Sequence, residues 1–351
     1  MPINDSGTKT RVLQSDKTQV LNPLKQNELR GVCAACGTPL IADPDRKGVN
    51  ICPKCHMVQK AVSRDFPPGS VIGDYRILKK IAEGGMGVIY LCCPVNDLSR
   101  RLVLKTLRFE PGDNQEVCAR RFKRESELLS KLEHPTIVRV YDSWSSDDSV
   151  FIIMEYIDGH TLASIRKQDL YIFDEAVVIE IMTILAEALD YAWEELKLLH
   201  RDIKPSNIMF DNEGHLHLLD FGIAKSLESE ETTALTITGL GLGTPGFMSP
   251  EQFRNATQVD CTTDIYSLGA TMYFLITGEP PFDGENPSIV FSEMLKRDPI
   301  PLHKRNPEIS KNFSMLIQQT LNRDPKKRPF SWKKLLVNLE RVAQGRPPLL
   351  S

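Results

Sequence analysis

A chain of 351 residues, 41% hydrophobic and 25% charged, has an ordinary globular composition and room for one large domain or two to three smaller ones. Its 43 Lys and Arg against 46 Asp and Glu leave a net charge of −3, so no bulk attraction to nucleic acid or anionic membrane is expected. There is no run of about 18 apolar residues to predict a transmembrane helix, and the polar opening MPINDSGTKTRVLQSDK lacks the apolar stretch of a secretory signal. The expectation is a cytoplasmic protein with no membrane span.

Residues 1–30 read as a flexible polar tail with one near-repeat, KTRVL at 9–13 and KTQVL at 17–21. Residues 31–60 carry four of the eight cysteines, as Cys33-x-x-Cys36 and, fifteen residues on, Cys52-x-x-Cys55. Two such knuckles bring four thiolates around one tetrahedral Zn²⁺, and the ion substitutes for a core that so short a segment cannot bury. A zinc ribbon with structural Zn²⁺ is therefore expected here. Two disulfides or a redox pair are the competing readings, disfavoured in an intracellular chain and without a βαβ setting. The ribbon interior, ADPDRKGVN, has no aromatic residue to stack a base, so a protein contact is favoured over nucleic acid. Cys92, Cys93, Cys118 and Cys261 read as packed thiols. A linker over 61–73, containing Pro-Pro-Gly, marks a boundary.

From Tyr75 the pattern changes. YRILKKI, GVIYLCC and RLVLKTL read as strands, QEVCARRFKRESELLSKL as an amphipathic helix, and IVRVYDSW and VFIIMEY as two more strands. Beyond residue 156 helices dominate, beginning with EAVVIEIMTILAEALDYAWEEL. The predicted fold class is α+β: a five-stranded lobe with one helix (74–156), a helical lobe (157–345), and a cleft where they meet. In the first lobe, KKIAEGGMGVIY carries an incomplete G-x-G-x-x-G. Gly84 and Gly87 occupy its second and third places, and Ala82 stands at the first.

The helical runs are separated by LLHRDIKPSNIMF and HLHLLDFG. Together with GGMGVIY, GTPGFMSPEQ and DPKKRP, in that order and spacing, these segments make residues 75–345 resemble the Ser/Thr protein kinases, most closely the bacterial Hanks-type enzymes. The resemblance implies a two-lobed kinase fold and transfer of the γ-phosphoryl group of Mg-ATP to Ser or Thr hydroxyls, a reaction that needs positioning and charge neutralisation. Lys105 would contact the α- and β-phosphates, and Glu125, preferred over Glu127, would pair with it. Asp202 would accept the hydroxyl proton and Lys204 would steady the γ-phosphoryl group. Asn207 and Asp220 would hold Mg²⁺ through hard oxygens. The ATP site would comprise Ile81, Ala82, Glu83, Gly84, Gly85, Met86, Gly87, Val88, Ile89, Val103, Lys105, Glu155 and Ile157, with Met154 as gatekeeper. Glu251 with Arg328, and Asp264 beneath the catalytic loop, match structural positions of the family.

The segment after DFG resembles an activation loop, with Thr236 and Thr238 as the sites of autophosphorylation that the resemblance implies. Thr10 and Thr18, each followed by Leu at the third position, are candidate phosphothreonines for a partner of the forkhead-associated type. Val103 in place of Ala, Phe247 in place of Tyr and Ala82 in place of Gly are departures that remove no charge the chemistry needs. The alternatives are a pseudokinase and a zinc-ribbon adaptor acting as a signalling scaffold. The chain closes on RPPLLS, and input is expected through the ribbon, the tail or a partner.

Overall fold

The computed structural model describes residues 29–32, 39–42, 49–51, 58–60, 66–84, 87–108, 115–146, 149–169, 173–221, 245–254 and 259–349, the first four segments as backbone. Contacts divide the chain into two units, Met1–Phe66 and Pro67–Ser351.

In the first unit, β1 (Leu29–Val32), β2 (Pro39–Ala42), β3 (Val49–Ile51) and β4 (Val58–Lys60) form an antiparallel meander in that order. The backbone register pairs Leu29 with Ile41, Ile41 with Ile51, and Ile51 with Val58. In an up-and-down meander the connections from β1 to β2 and from β3 to β4 leave the sheet at the same end. Cys33 and Cys36 fall in the first connection and Cys52 and Cys55 in the second; all four lie outside the described residues.

The second unit opens with a six-stranded antiparallel sheet in the order β5-β6-β7-β8-β10-β9. Its strands are β5 (Val71–Ile72), β6 (Tyr75–Gly84), β7 (Gly87–Pro94), β8 (Leu102–Arg108), β9 (Val140–Ser146) and β10 (Ser149–Glu155). The five strands expected from periodicity are thus joined by a sixth, β5, inside the stretch read as linker. It forms because Gly73, at φ +56°, reverses the chain and lays Val71 and Ile72 against Arg76 and Tyr75. Inward residues of the long strands, among them Ile77, Tyr90, Leu104 and Val150, are fully buried. Helix α1 (Gln115–Leu129) contributes Phe122 and Leu129 to the core shared with Val150 and Ile152.

The helical part is built on two long helices. The first is α3 (Glu175–Leu196), which follows the short α2 (Leu162–Asp169). The Asp174 carboxylate caps α3 by accepting the Val177 N–H at 2.9 Å, and buried Val178, Ile181, Met182, Leu185 and Leu189 recur at helical spacing. After α4 (Pro250–Arg254) comes α5 (Cys261–Thr277), capped by Asp260 and ended by Gly278 at φ +80°. Nearly every residue of α5 is buried, which makes it the central helix. Then follow α6 (Pro287–Lys296), which packs on α4; α7 (Leu302–Arg305) and α8 (Lys311–Thr320), which pack on α5; and α9 (Trp332–Ala343), which packs on α3 and α8. A fully buried Leu or Ile contributes about 1.5–3 kcal/mol, so this core anchors the lobe on which the polar loops rest.

Two features tie the sheet to those loops. A small sheet of β11 (Gly159–Thr161), β12 (Ile208–Asp211) and β13 (Leu216–Leu218) lies at the start of the helical lobe. Its Leu218 exchanges backbone bonds with the chain entering β9, donating its N–H to Thr136 O at 2.6 Å and accepting that of Val138 at 3.1 Å. This fixes the two residues that follow, Leu219 and Asp220, relative to the first lobe.

Candidate active site

The loop from His200 to Asn207 is held from below by one buried carboxylate. Asp264, in the first turn of α5, accepts the His200 N–H at 2.7 Å with one oxygen and the Arg201 N–H at 2.8 Å with the other. Arg201 sits at φ +61°, a left-handed conformation that costs a residue with a Cβ about 1–3 kcal/mol and persists only where its surroundings impose it. That turn projects Asp202 outward. Its Oδ2 lies 2.8 Å from Lys204 Nζ and accepts the Asn207 Nδ2 N–H at 2.9 Å. The same amide donates to the Asp202 carbonyl at 2.9 Å. Both donors of Asn207 therefore face Asp202, and its Oδ1 is the end left for a cation.

Burial pushes the His200 pKa below its ordinary value, against the pull of Asp264. The hydrogen bonds agree: Nδ1 accepts the Asp202 N–H at 3.2 Å, so Nε2 is the protonated nitrogen and donates to Leu219 O at 2.7 Å. A proton on Nδ1 would confront the Asp202 amide. Stability should therefore be complete above pH about 6.5, where an unfolded histidine is neutral, and should fall as the solution is acidified, because the unfolded state takes up this proton first. Asp264, raised by burial and held down by His200 and the two N–H groups, acts in the opposite sense. Thermal unfolding of the native protein and of His200→Asn between pH 8 and pH 5 isolates the histidine contribution. An equally steep acid decline in both would refute it.

Lys105 lies on β8 with Ile89 opposite on β7 and Ile152 opposite on β10, so its aliphatic stem crosses the centre of the sheet. Its Nζ lies 2.9 Å from Asp220 Oδ1, both side chains about four-fifths buried. Asp220 is at φ +51°, a second strained residue in the loops that converge here. Behind this pair a cavity of about 20 Å³, room for one water, is lined by Leu129, Val138, Val140, Ile152, Met154 and Phe221. Glu125 is half-buried on the α1 face that also carries Phe122 and Leu129.

The other expected nucleotide contacts separate by face. Ala82 pairs with Ile89, and Ile89 with Lys105, so these share one face of the sheet. Ala82 is extended and exposed, a setting where a methyl is tolerated. Val103 pairs with Met154 and is half-buried. Val88 pairs with Thr106 on the opposite face and is 2% exposed, so only its backbone is available to a ligand. Ile81 sits at a register shift and is exposed, beside Glu83, which pairs with Lys80 at 2.6 Å. Gly84 pairs with Gly87, where an added Cβ would lie 1.7 Å from Thr106 O. Strand packing alone thus demands that glycine. Glu155 and Ile157, at the exit of β10, are half-buried. Gly85, Met86, Thr10, Thr18, Thr236 and Thr238 lie outside the described residues.

Two residues that motif reading did not single out emerge beside Asp202. One is His200, whose tautomer depends on partners supplied by the fold. The other is Gln252, which follows SPE and reaches back to Arg201 O at 2.9 Å.

A twisted antiparallel sheet over a helical lobe, with the lysine of the third long strand meeting an aspartate below it, defines the two-lobed architecture of the kinases. Residues 75–338 match the family described as protein kinase domain, and the chain belongs to that family. It is 35% identical over 275 residues to a probable serine/threonine-protein kinase of Clostridium perfringens, covering 78% of this chain and 39% of that protein. It is also 35% identical over 278 residues to the serine/threonine-protein kinase PknB of Mycobacterium leprae, covering 78% and 44%. The chain thus spans less than half the length of these relatives. Among solved structures, a point mutant of the PknI kinase domain of Mycobacterium tuberculosis matches with TM-score 0.62 and 25% identity, over 80% of this chain and 99% of that one.

Proposed function

We propose that this protein is an ATP-dependent serine/threonine protein kinase. The observation that carries the reading is the joint placement of Asp202 between Lys204 and Asn207 and of Lys105 against Asp220. Asp202, held by two donors, orients a Ser or Thr hydroxyl and takes its proton as the oxygen attacks the γ-phosphorus and the bond to ADP breaks. Lys204 places a positive charge beside the transferring group, and Lys105 offers one to the α- and β-phosphates. Mg²⁺ fits the site by its donor set, a carboxylate from Asp220 and the free amide oxygen of Asn207. When bound it neutralises phosphate charge. Asp220 would then have a partner other than Lys105, whose ammonium would be available to the phosphates and to Glu125. Ile81, Ile89 and Val103 would enclose adenine, with Glu155 and Ile157 at its edge. Intact mass after incubation with Mg-ATP tests the reading. Added phosphate on Thr236 or Thr238 supports catalysis with activation through the loop after DFG, whereas nucleotide binding without any mass gain would identify a pseudokinase.

For residues 31–60 the same proposal includes a structural Zn²⁺ on Cys33, Cys36, Cys52 and Cys55. What supports it is that the two C-x-x-C segments follow β1 and β3 in the sequence, and those two strands finish at the same end of one small antiparallel sheet. The expected result is one zinc per chain by atomic emission, lost in Cys33→Ser/Cys52→Ser. A metal-free protein purified without chelator would count against it. The organisation into tail, ribbon, linker and kinase, a cytoplasmic setting, and a forkhead-associated-type partner reading phosphorylated Thr10 or Thr18 complete the proposal. Absence of phosphate on residues 1–30 after exhaustive autophosphorylation would remove the last of these.

A further inference from the structure

Gln252 lies in α4, directly after the Glu251 that pairs with Arg328, and is 3% exposed. Its side chain bridges two segments far apart in sequence. At one end Oε1 accepts the Ser249 N–H at 3.0 Å, with the Ser249 hydroxyl at 3.3 Å. At the other, Nε2 donates to the carbonyl of Arg201 at 2.9 Å. The amide orientation is not interchangeable, since a backbone N–H can only donate and a backbone carbonyl can only accept. Ser249 is itself completely buried and closes the turn by accepting the Gln252 N–H through its hydroxyl and its carbonyl.

The carbonyl that Gln252 holds belongs to the peptide joining Arg201 to Asp202. That peptide's position follows from an unfavourable left-handed turn at Arg201, which needs restraint from outside. Asp264 supplies it on the amide side, through the N–H groups of His200 and Arg201. Gln252 supplies it on the carbonyl side, immediately before the acid that carries the chemistry.

We propose that Gln252 is a positioning residue for Asp202, coupling the segment Pro245–Arg254 to the catalytic loop so that the two hold one geometry. The inference rests on the kinase reading, because the chemistry it serves is the proton transfer at Asp202. Small displacements of a catalytic group cost one to two orders of magnitude in rate, whereas Lys105 and the residues proposed to enclose adenine lie on other elements.

Two variants separate the ends of the bridge. Gln252→Met keeps volume and burial and loses both ends. Gln252→Glu keeps an acceptor toward Ser249 and loses the donor toward Arg201. With myelin basic protein as acceptor, both should lower kcat roughly tenfold to a hundredfold and leave KM for ATP unchanged. Amide hydrogen exchange over 199–207 should quicken in both. A Glu variant with native kcat and native exchange would overturn the proposal, because only the Ser249 turn would then depend on Gln252. Native behaviour in both variants would overturn it equally. A wild-type protein that transfers no phosphate would defeat the kinase reading instead. The exchange comparison then decides by itself whether Gln252 restrains the loop.

Discussion

Asp202→Asn should lower the rate of phosphoryl transfer by a factor of roughly 10² to 10⁴, the range of a lost general base, equivalent to about 3–5 kcal/mol of transition-state stabilisation. The substitution is nearly isosteric, but an amide oxygen has no useful basicity and cannot take the hydroxyl proton. The carboxylate also counterbalances the Lys204 ammonium at 2.8 Å and accepts from Asn207 at 2.9 Å. An amide can satisfy one of these donors and must turn its own N–H groups toward the other, which costs about 1 kcal/mol of local stability. The loop should nevertheless hold, because its backbone is anchored independently by Asp264, by the His200 imidazole and by Gln252. Lys105 and Asp220 are untouched, so Mg-ADP should raise the unfolding temperature of the variant as much as that of the native protein. Initial rates and that thermal shift, measured together, decide the matter. Transfer at native rate would remove Asp202 from its assigned role, and loss of the nucleotide shift would show that the substitution damaged the site more widely.

Much of this arrangement was legible from sequence because it depends on local periodicity. The run at 175–196 reads as a helix on its apolar spacing alone, and the structure gives α3 those bounds. The strands from Tyr75 to Glu155 announce themselves by alternation, whereas Asp202, Asn207 and Asp220 stand out only because HRDIKPSN and DFG resemble kinase motifs. What escaped has a physical reason in each instance. Strand β5 has two residues, too few to display a period, and exists only because Gly73 turns the chain. Val88 and Ile89 are neighbours in one glycine-rich stretch, and only the pairing of Val88 with Thr106 reveals that it lies on the other face from Ile89. The bond from Gln252 to Arg201 spans 51 positions, and nothing in SPEQ reveals which carbonyl the amide will meet. The kinase resemblance names Glu125 on α1 as the partner of Lys105, and no local pattern reveals that Asp220 also comes within 2.9 Å of that ammonium, held there through the exchange of backbone bonds around Leu218.

Arg328→Ala should destabilise the second unit by about 3–5 kcal/mol, the cost of leaving a buried partner charge without its counter-ion. Arg328 is completely buried and its five N–H donors are all engaged. Two go to Glu251 in a fork, at 2.6 and 2.9 Å; Nε donates to Asn322 O at 2.7 Å; the others reach Thr262 O at 3.0 Å and Arg323 O at 3.5 Å. The guanidinium also lies 4.9 Å from the centre of the Tyr266 ring. Truncation leaves three carbonyls short of a donor and leaves Glu251 with the Thr263 hydroxyl at 2.7 Å as its remaining side-chain partner. Burial pushes the Glu251 pKa up, but the guanidinium outweighs it and holds the carboxyl below its usual range. The native pair therefore stabilises above the unfolded glutamate value and weakens as the solution is acidified past it. In Arg328→Ala the downward pull is gone, so the acid sensitivity attached to Glu251 should diminish along with the stability. For a unit of this size each kcal/mol corresponds to about 2 °C in unfolding temperature, so a fall of roughly 6–10 °C is expected. The pair Glu251→Leu/Arg328→Met should be less damaging than Arg328→Ala alone, since it leaves no unpaired buried charge. A double variant as unstable as the sum of its two single substitutions would show that the ion pair has no coupling energy, and that packing around Tyr266 accounts for the loss.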